Sequence, residues 1–275
     1  MSDDRAVALP PSKSSRRYLP CGLPRRKTEG MKPTFDREAA FDDDYLYFYA
    51  ELLTPERTAA DVELIWKLLE LEPGLELLDL ACGHGRIANS LADRGVHVTG
   101  LDATPSFLDL ARNDAAARGV EVEYVEGDMR SLPWRERFDR VLNWFTSFGY
   151  FEDDENRGVL AEAYKALKPD GLLAVETLNR DRLLQVYEDE IVTERDADQM
   201  IDRHRFDMQT SRSHDERTII RGGKKRTFEF SVRTLTAAEL RAWMLDAGFG
   251  EARAFGEDGE PLTLEHRRMT VVGRK

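Results

Sequence analysis

Long apolar runs are missing from this 275-residue chain. No stretch approaches the roughly 20 residues that cross a bilayer, and no apolar segment follows the first residues as a secretory leader requires. Cysteine is scarce: Cys21 and Cys82 stand in unrelated surroundings. A disulfide framework is excluded, and a reducing, cytoplasmic setting is expected. None of the five histidines sits at a metal-ligand spacing from another His, Cys or carboxylate, so no metal is expected. Positive charge is in deficit: the formal net charge is −12, which argues against nucleic acid as a partner. What is present is a chain 41% hydrophobic, enough to bury a full core.

Residues 1–34 run against this balance. The first 30 carry seven basic and three acidic side chains, with Pro10, Pro11, Pro20, Pro24 and a serine patch. This composition predicts a disordered basic tail, and Met31 could serve as an alternative start. From Phe35 the chain reads as ordered. Residues 41–53 form an aromatic, helix-compatible segment, with Phe48 and Leu52 as i, i+4 core partners and Tyr45 and Tyr49 on another face, placed to roof a site. Thr54 caps a helix that starts at Pro55 and stops at Pro73-Gly74. Strands are then expected at 76–80, 97–101, 121–125, 138–143 and 172–176, with helices at 85–94, 105–118 and 154–167, and a turn at Lys168–Gly171. Strands alternating with helices mean βαβ units and a parallel sheet.

After Tyr187 the rhythm changes. Residues 188–235 are polar and alternating, with Gly222-Gly223 between two such runs, and read as an antiparallel insertion. Its placement after the fifth strand suits a cap over an acceptor site. Phe228, Phe230 and Val232 would form one face, with Glu229, Ser231 and Arg233 on the other. A homodimer contact is the competing use of that apolar face. Thr236–Glu239 is a capping box, and residues 236–275 complete the α/β core begun at 35–187, with strands at 251–255 and 268–272.

The chemistry centres on LLDLACGHGRIA, residues 77–88. Gly83, Gly85 and Ala88 satisfy G-x-G-x-x-A, which leaves an NAD-dependent oxidoreductase open. The neighbours point elsewhere. Asp79 precedes the loop, where a carboxylate repels a pyrophosphate and welcomes a cation. Asp102 ends the second strand, placed for a ribose diol. Asp128 follows the third, placed for an adenine amino group, and Asn143, Trp144 and Phe145 end the fourth. All lie at carboxyl ends of strands, where open α/β sheets bind ligands. Ribose, adenine and a positive centre without phosphate describe S-adenosylmethionine (SAM).

The series LLDLACGHGRIA, VTGLD, VEGDMRSLPW, FDRVLNWFTSFGYF and ALKPDGLLAVET resembles the class I SAM-dependent methyltransferases over roughly residues 41–180 and 234–275. TSFGYF, the aromatic segment and the insertion look most like bacterial small-molecule members such as sugar amine N-methyltransferases. The resemblance implies a Rossmann-like, seven-stranded, mostly parallel sheet with helices on both faces, its last strand antiparallel, plus the small antiparallel β insertion. It implies that Asp79 and the backbone of Ala81, Gly83 and Gly85 meet the methionine part and ribose, and that Asp102 takes the ribose diol with Ala103 against the adenine. It further implies that Asp128 and Met129 hold the adenine, and that Asn143 and Trp144 close the pocket near the sulfonium. His84 departs from the small hydroxyl many members carry there.

Methyl transfer is a direct displacement onto an N or O nucleophile of a small-molecule acceptor. Candidate bases or orienters are Tyr150, Glu176 and His204, with His214 beside it in the insertion. Tyr45, Tyr49 and Phe145 are candidate lid or substrate contacts. A SAM-binding protein without catalysis is the remaining alternative.

Overall fold

A computed structural model describes residues 35–275. The expected basic tail lies outside the described residues. The strands β1 (Glu76–Leu80), β2 (His97–Asp102), β3 (Val122–Glu126), β4 (Phe138–Asn143), β5 (Leu167–Leu178), β10 (Glu251–Gly256) and β11 (Arg268–Arg274) form one sheet in the order β10-β11-β5-β4-β1-β2-β3. All pairs are parallel except those of β11, which runs antiparallel to both neighbours. The order reverses between β4 and β1, and such a switch point opens a crevice at the carboxyl ends of the strands.

Alternation along the strands divides the core. Leu78, Leu80, Val141, Leu173 and Val175 pack with α6 (Asp153–Ala166) and α8 (Ala237–Asp246). Leu77, Val98, Leu142, Leu172 and Ala174 pack with α3 (Pro55–Leu68) and α4 (Arg86–Ala92). Leu77 and Asp79 share the second face, so a strand that is otherwise apolar turns one carboxylate toward α4. Helix α5 (Pro105–Arg118) connects β2 to β3.

Two local expectations need correction. The turn at Lys168–Gly171 lies inside β5 as an irregularity: Phe138 pairs with Leu167, but Arg140 pairs with Leu172. Asp170 takes φ 61°, and a Cβ on Gly171 would sit 2.8–3.1 Å from Leu167, Lys168 and Asp139, so the bulge accommodates a residue run that regular pairing cannot. The aromatic segment 41–53 is not one helix. Asp42 accepts hydrogen bonds from the amides of Asp44 and Tyr45 and caps a separate helix α2 (Asp43–Tyr49), after the short α1 (Arg37–Ala40). Because α2 stops at Tyr49, Leu52 leaves the helical register and is exposed, while Phe48 is buried.

Between β5 and α8 the chain makes the short helix α7 (Arg180–Gln185) and then a second sheet. It consists of β6 (Glu190–Arg195), β7 (Asp198–Asp207), β8 (Arg212–Arg221) and β9 (Lys224–Arg233), paired antiparallel in sequence order. Gly222 and Gly223 both have positive φ, 56° and 76°, and close the β8–β9 hairpin as a two-residue turn. Phe228 packs with Phe48, Met200 and Ile219, so the apolar face is covered by the chain's own α2. Arg221 and Arg226 pair with Asp44, Arg226 also with Asp42, and Arg195 bonds the Tyr47 carbonyl. The other face of β9 also departs from expectation near its end. Ser231 and Arg233 are buried, and Arg233 pairs with Asp153 and Glu239 of α6 and α8.

Candidate functional site

The strand-to-helix loop after β1 is built from left-handed backbone. Ala81, Gly83 and Gly85 have φ of 59°, 55° and 79°. A Cβ on Gly85 would lie 2.3 Å from Tyr124 Oη and 2.7 Å from the Ala111 side chain, so packing as well as backbone conformation requires glycine there. A Cβ on Gly83 would meet only the Phe107 ring, at 3.9 Å. The Gly83 amide donates to Asp102 Oδ2 at 2.8 Å, and the Thr104 amide donates to Asp102 Oδ1 at 2.8 Å. Asp102 thus joins the glycine loop to the start of α5. Burial raises its pKa and these amides oppose the rise.

Asp79 is buried, and among the described residues none donates a hydrogen bond to its carboxylate. Burial pushes its pKa up to about 7, against the pull of the Arg86 guanidinium and with a smaller push from Asp102. Arg86 opens α4, where the helix dipole disfavours a cation. Its partners explain its presence: Asp61 of α3 at 2.8 Å, and the ring of Phe145 5.1 Å from the guanidinium carbon. Arg57 bonds the same Asp61 at 3.0 Å. Arg268 also lies 5.0 Å from the Phe145 ring centre and pairs with Glu176. Burial, with the charges of Arg57 and Arg86, pushes Arg268 down to about 10. Two cations therefore lie about equally far from the Phe145 ring, and the charge of one of them, Arg86, also acts on Asp79.

An aromatic group covers this crevice. Tyr45 and Tyr49 of α2 stack with centroids 4.4 Å apart; Tyr45 lies 6.1 Å from Phe107, and Tyr49 meets Phe145 edge-on at 6.5 Å. Tyr150 packs on Phe35 at 4.6 Å and Phe41 at 5.7 Å. Tyr49 Oη accepts a hydrogen bond from Arg217 of β8 at 3.1 Å. Burial raises the phenols of Tyr45 and Tyr150 far above their ordinary value, so both are protonated at neutral pH.

Several sequence candidates sit otherwise than expected. Trp144 lies in the core with Val62, Ile65 and Ile87, because β4 turns it to the α3/α4 face. Phe145 and Thr146, at φ 59° and 58°, then redirect the chain so that Phe145, not Trp144, faces the crevice. Glu176 is no free base: it holds Arg268 and accepts from the Thr146 amide at 3.2 Å, bracing that turn. Asn143 is buried, its amide donating to the Leu80 carbonyl at 3.1 Å and contacting Met129 Sδ, with Oδ1 unpartnered. Asp128 is clasped by Arg130 at 2.7–3.1 Å. His84 is half-buried, edge-on to Phe107 at 6.5 Å. Cys82 is buried and burial pushes its thiol up, so it is a packing residue. His204 lies in the insertion, its Nδ1 2.5 Å from Asp215 Oδ1, and that contact raises its pKa. Arg86, Arg217 and Arg268 had no place in the sequence reading. One signal was available for Arg86: a cation in the first turn of a helix needs a partner.

Among the described residues, no group of His, Cys, Asp and Glu could hold a metal, and no helix is long and apolar enough to cross a membrane. Residues 77–171 match a family model described as a methyltransferase domain. Over those residues the chain is similar to methyltransferase domains. A Geobacillus sp. protein bearing a methyltransferase name is 27% identical over 217 residues, 75% of this chain and 88% of that protein. A demethylmenaquinone methyltransferase of Thermus thermophilus is 36% identical over 121 residues, 41% of this chain, and the match spans 54% of that relative's length. The solved sugar N-methyltransferase KedS8 from Streptoalloteichus sp. shares the fold with a TM-score of 0.66 at 20% identity, over 91% of this chain and 99% of that one. The solved amino pentose methyltransferase CalS10, 22% identical over 87% of this chain with a TM-score of 0.62, was determined with SAM bound. The residues of this chain fit SAM: a buried carboxylate that accepts no hydrogen bond among the described residues suits an ammonium, and would repel a pyrophosphate held by the same loop.

Proposed function

We propose that this methyltransferase transfers the sulfonium methyl of SAM to an N or O nucleophile of a small-molecule acceptor by direct displacement. The observation that carries the reading is the aromatic group beside the glycine loop: Tyr45 stacks on Tyr49, Tyr45 also meets Phe107, and Tyr49 meets Phe145. The fold likeness to a sugar N-methyltransferase supports it.

Asp79 takes the methionine ammonium, and Arg86, held by Asp61, supplies positive charge for the carboxylate. The backbone of Ala81, Gly83 and Gly85 follows the methionine chain. Asp102 keeps a lone pair on each oxygen for the ribose hydroxyls after bonding the loop amides. Ala103, Asp128 and Met129 line the adenine, and Asn143 borders the pocket from beneath. The bound cofactor supplies an activated methyl on a sulfonium leaving group. This chain's residues then align the nucleophile and exclude water, which can lower a barrier by about 7–11 kcal/mol. With Glu176 held by Arg268 and Tyr150 protonated, neither acts as a strong base.

Asp79 makes the cofactor affinity depend on pH. Its carboxyl rises from 3.8 to about 7 on folding, so the native chain holds this proton longer than the unfolded one; the associated stability is present at low pH and is lost as pH rises through about 7. An ammonium placed beside it favours the ionised form. Cofactor binding below about pH 7 should therefore release a proton, and affinity should climb toward pH 7. Calorimetry of S-adenosylhomocysteine in buffers of different ionisation enthalpy measures this release. A pH-independent affinity, or a slope unchanged in Asp79→Asn, would contradict the assignment.

The acceptor reading is tested by incubating the protein and SAM with amino sugars, simple amines and their hydroxyl counterparts, and weighing the products by mass spectrometry. A gain of one methyl on a small molecule is expected. Transfer confined to an added protein or RNA overturns the reading.

A further inference from the structure

The insertion carries a carboxylate that the core does not use. In antiparallel pairs, residues directly opposite share a face. Asp215 of β8 lies opposite His204 of β7 and Phe230 of β9, and the next row toward the hairpin turn sets Arg217 opposite Asp202 and Phe228. The Arg217 row is closed: the guanidinium makes two bonds to Asp202, at 2.6 and 2.9 Å, and one to Tyr49. The Asp215 row is open. His204 Nδ1 at 2.5 Å and Ser213 Oγ at 2.8 Å both meet Oδ1. Among the described residues none bonds Oδ2, on a residue only 7% exposed. The row also leads to the aromatic group. Phe230 bridges to Phe35, whose ring packs on Tyr150, and Tyr150 feels the charges of Tyr49, Arg217 and Asp215.

We propose that Asp215 Oδ2 is the acceptor anchor, and that the chemistry it selects is an amino group: a primary or secondary amine of a small acceptor, held against the carboxylate with the rings of Tyr49 and Tyr150 around it. This rests on the small-molecule reading above and narrows it from N or O to N. Three features favour an amine over a hydroxyl. An acceptor-only oxygen on a buried carboxylate seeks a hydrogen-rich, cationic donor. Aromatic faces stabilise an ammonium. An amine needs no base stronger than the aromatic group contains, since its lone pair attacks once the ammonium has lost a proton to water, whereas a hydroxyl would need one and Tyr150 is protonated. Asp215 is thus an acceptor-binding residue supplied by the insertion, and the insertion sets which nucleophile is presented.

Asp215→Asn isolates this atom, since the amide oxygen still accepts from His204 and Ser213 while the Oδ2 position becomes a donor. The probes are D-glucosamine, its nucleotide-diphosphate conjugate and propylamine, against glucose, its conjugate and propanol, each with SAM. The wild-type protein is expected to methylate at least one amine and none of the matched alcohols. Asp215→Asn should raise KM for that amine about 10- to 100-fold, with S-adenosylhomocysteine affinity and melting temperature close to wild type; Asp215→Glu should recover part of the loss. Wild-type KM in Asp215→Asn overturns the anchor and leaves the small-molecule reading standing. Methylation of the alcohols, or of none of the six probes, overturns the amine assignment. Loss of S-adenosylhomocysteine binding in the wild-type protein removes the underlying reading as well.

Discussion

Asp102→Ala should lose both the cofactor and much of the loop that binds it. The wild-type carboxylate accepts the amides of Gly83 and Thr104, each at 2.8 Å, on a residue that is buried. Alanine leaves two buried donors unsatisfied, and hydrogen bonds to a charged group contribute about 1.5–3 kcal/mol each. A stability loss of about 3–5 kcal/mol is the expected outcome, read from denaturant midpoints. The ribose contacts vanish with the same carboxylate, so S-adenosylhomocysteine binding should fall by a further 10-fold or more, roughly, beyond what unfolding explains. Asp102→Asn, which retains one acceptor, should lie between. Wild-type stability in Asp102→Ala would show that the loop is held by something else.

The second large effect belongs to the insertion. Asp202→Ala removes the counter-charge of Arg217, and both side chains are buried. Breaking a buried pair from one side costs about 3–5 kcal/mol, because an uncompensated cation remains. The loss should be larger than for Asp202→Ala combined with Arg217→Met, which removes both charges. It should also loosen Tyr49, whose hydroxyl accepts from Arg217, so acceptor turnover should drop more than cofactor affinity. Thermal melting of the single and double variants measures the coupling. A double variant no more stable than Asp202→Ala contradicts it.

The parts of this molecule legible in its sequence are those set by short-range rules. Apolar strands, the glycine loop after β1, the capping box at Thr236 and the Gly222-Gly223 hairpin each follow from a few adjacent residues. The position of Asp79, Asp102 and Asn143 at strand ends follows from the same periodicity. What the sequence could not reveal depends on contacts between distant segments. Arg86 meets Asp61 from another helix, Glu176 meets Arg268 from the last strand, and Tyr49 meets Arg217 from the insertion. Trp144 and Phe145 are adjacent, and only the left-handed turn at Phe145 decides which of them faces the crevice. The docking of α2 on the second sheet joins segments more than 140 residues apart through Asp44, Arg221 and Arg226. A face that reads in sequence as free for a partner is thereby covered by the chain itself.

The crevice beside Asp79 and Asp102 is expected to bind SAM and not a dinucleotide. Calorimetric titration of the full chain with S-adenosylhomocysteine, and separately with NAD, tests it most directly. One-to-one binding of S-adenosylhomocysteine that Asp102→Ala weakens strongly is expected, with no heat from NAD. Saturable NAD binding, with S-adenosylhomocysteine silent, would contradict it.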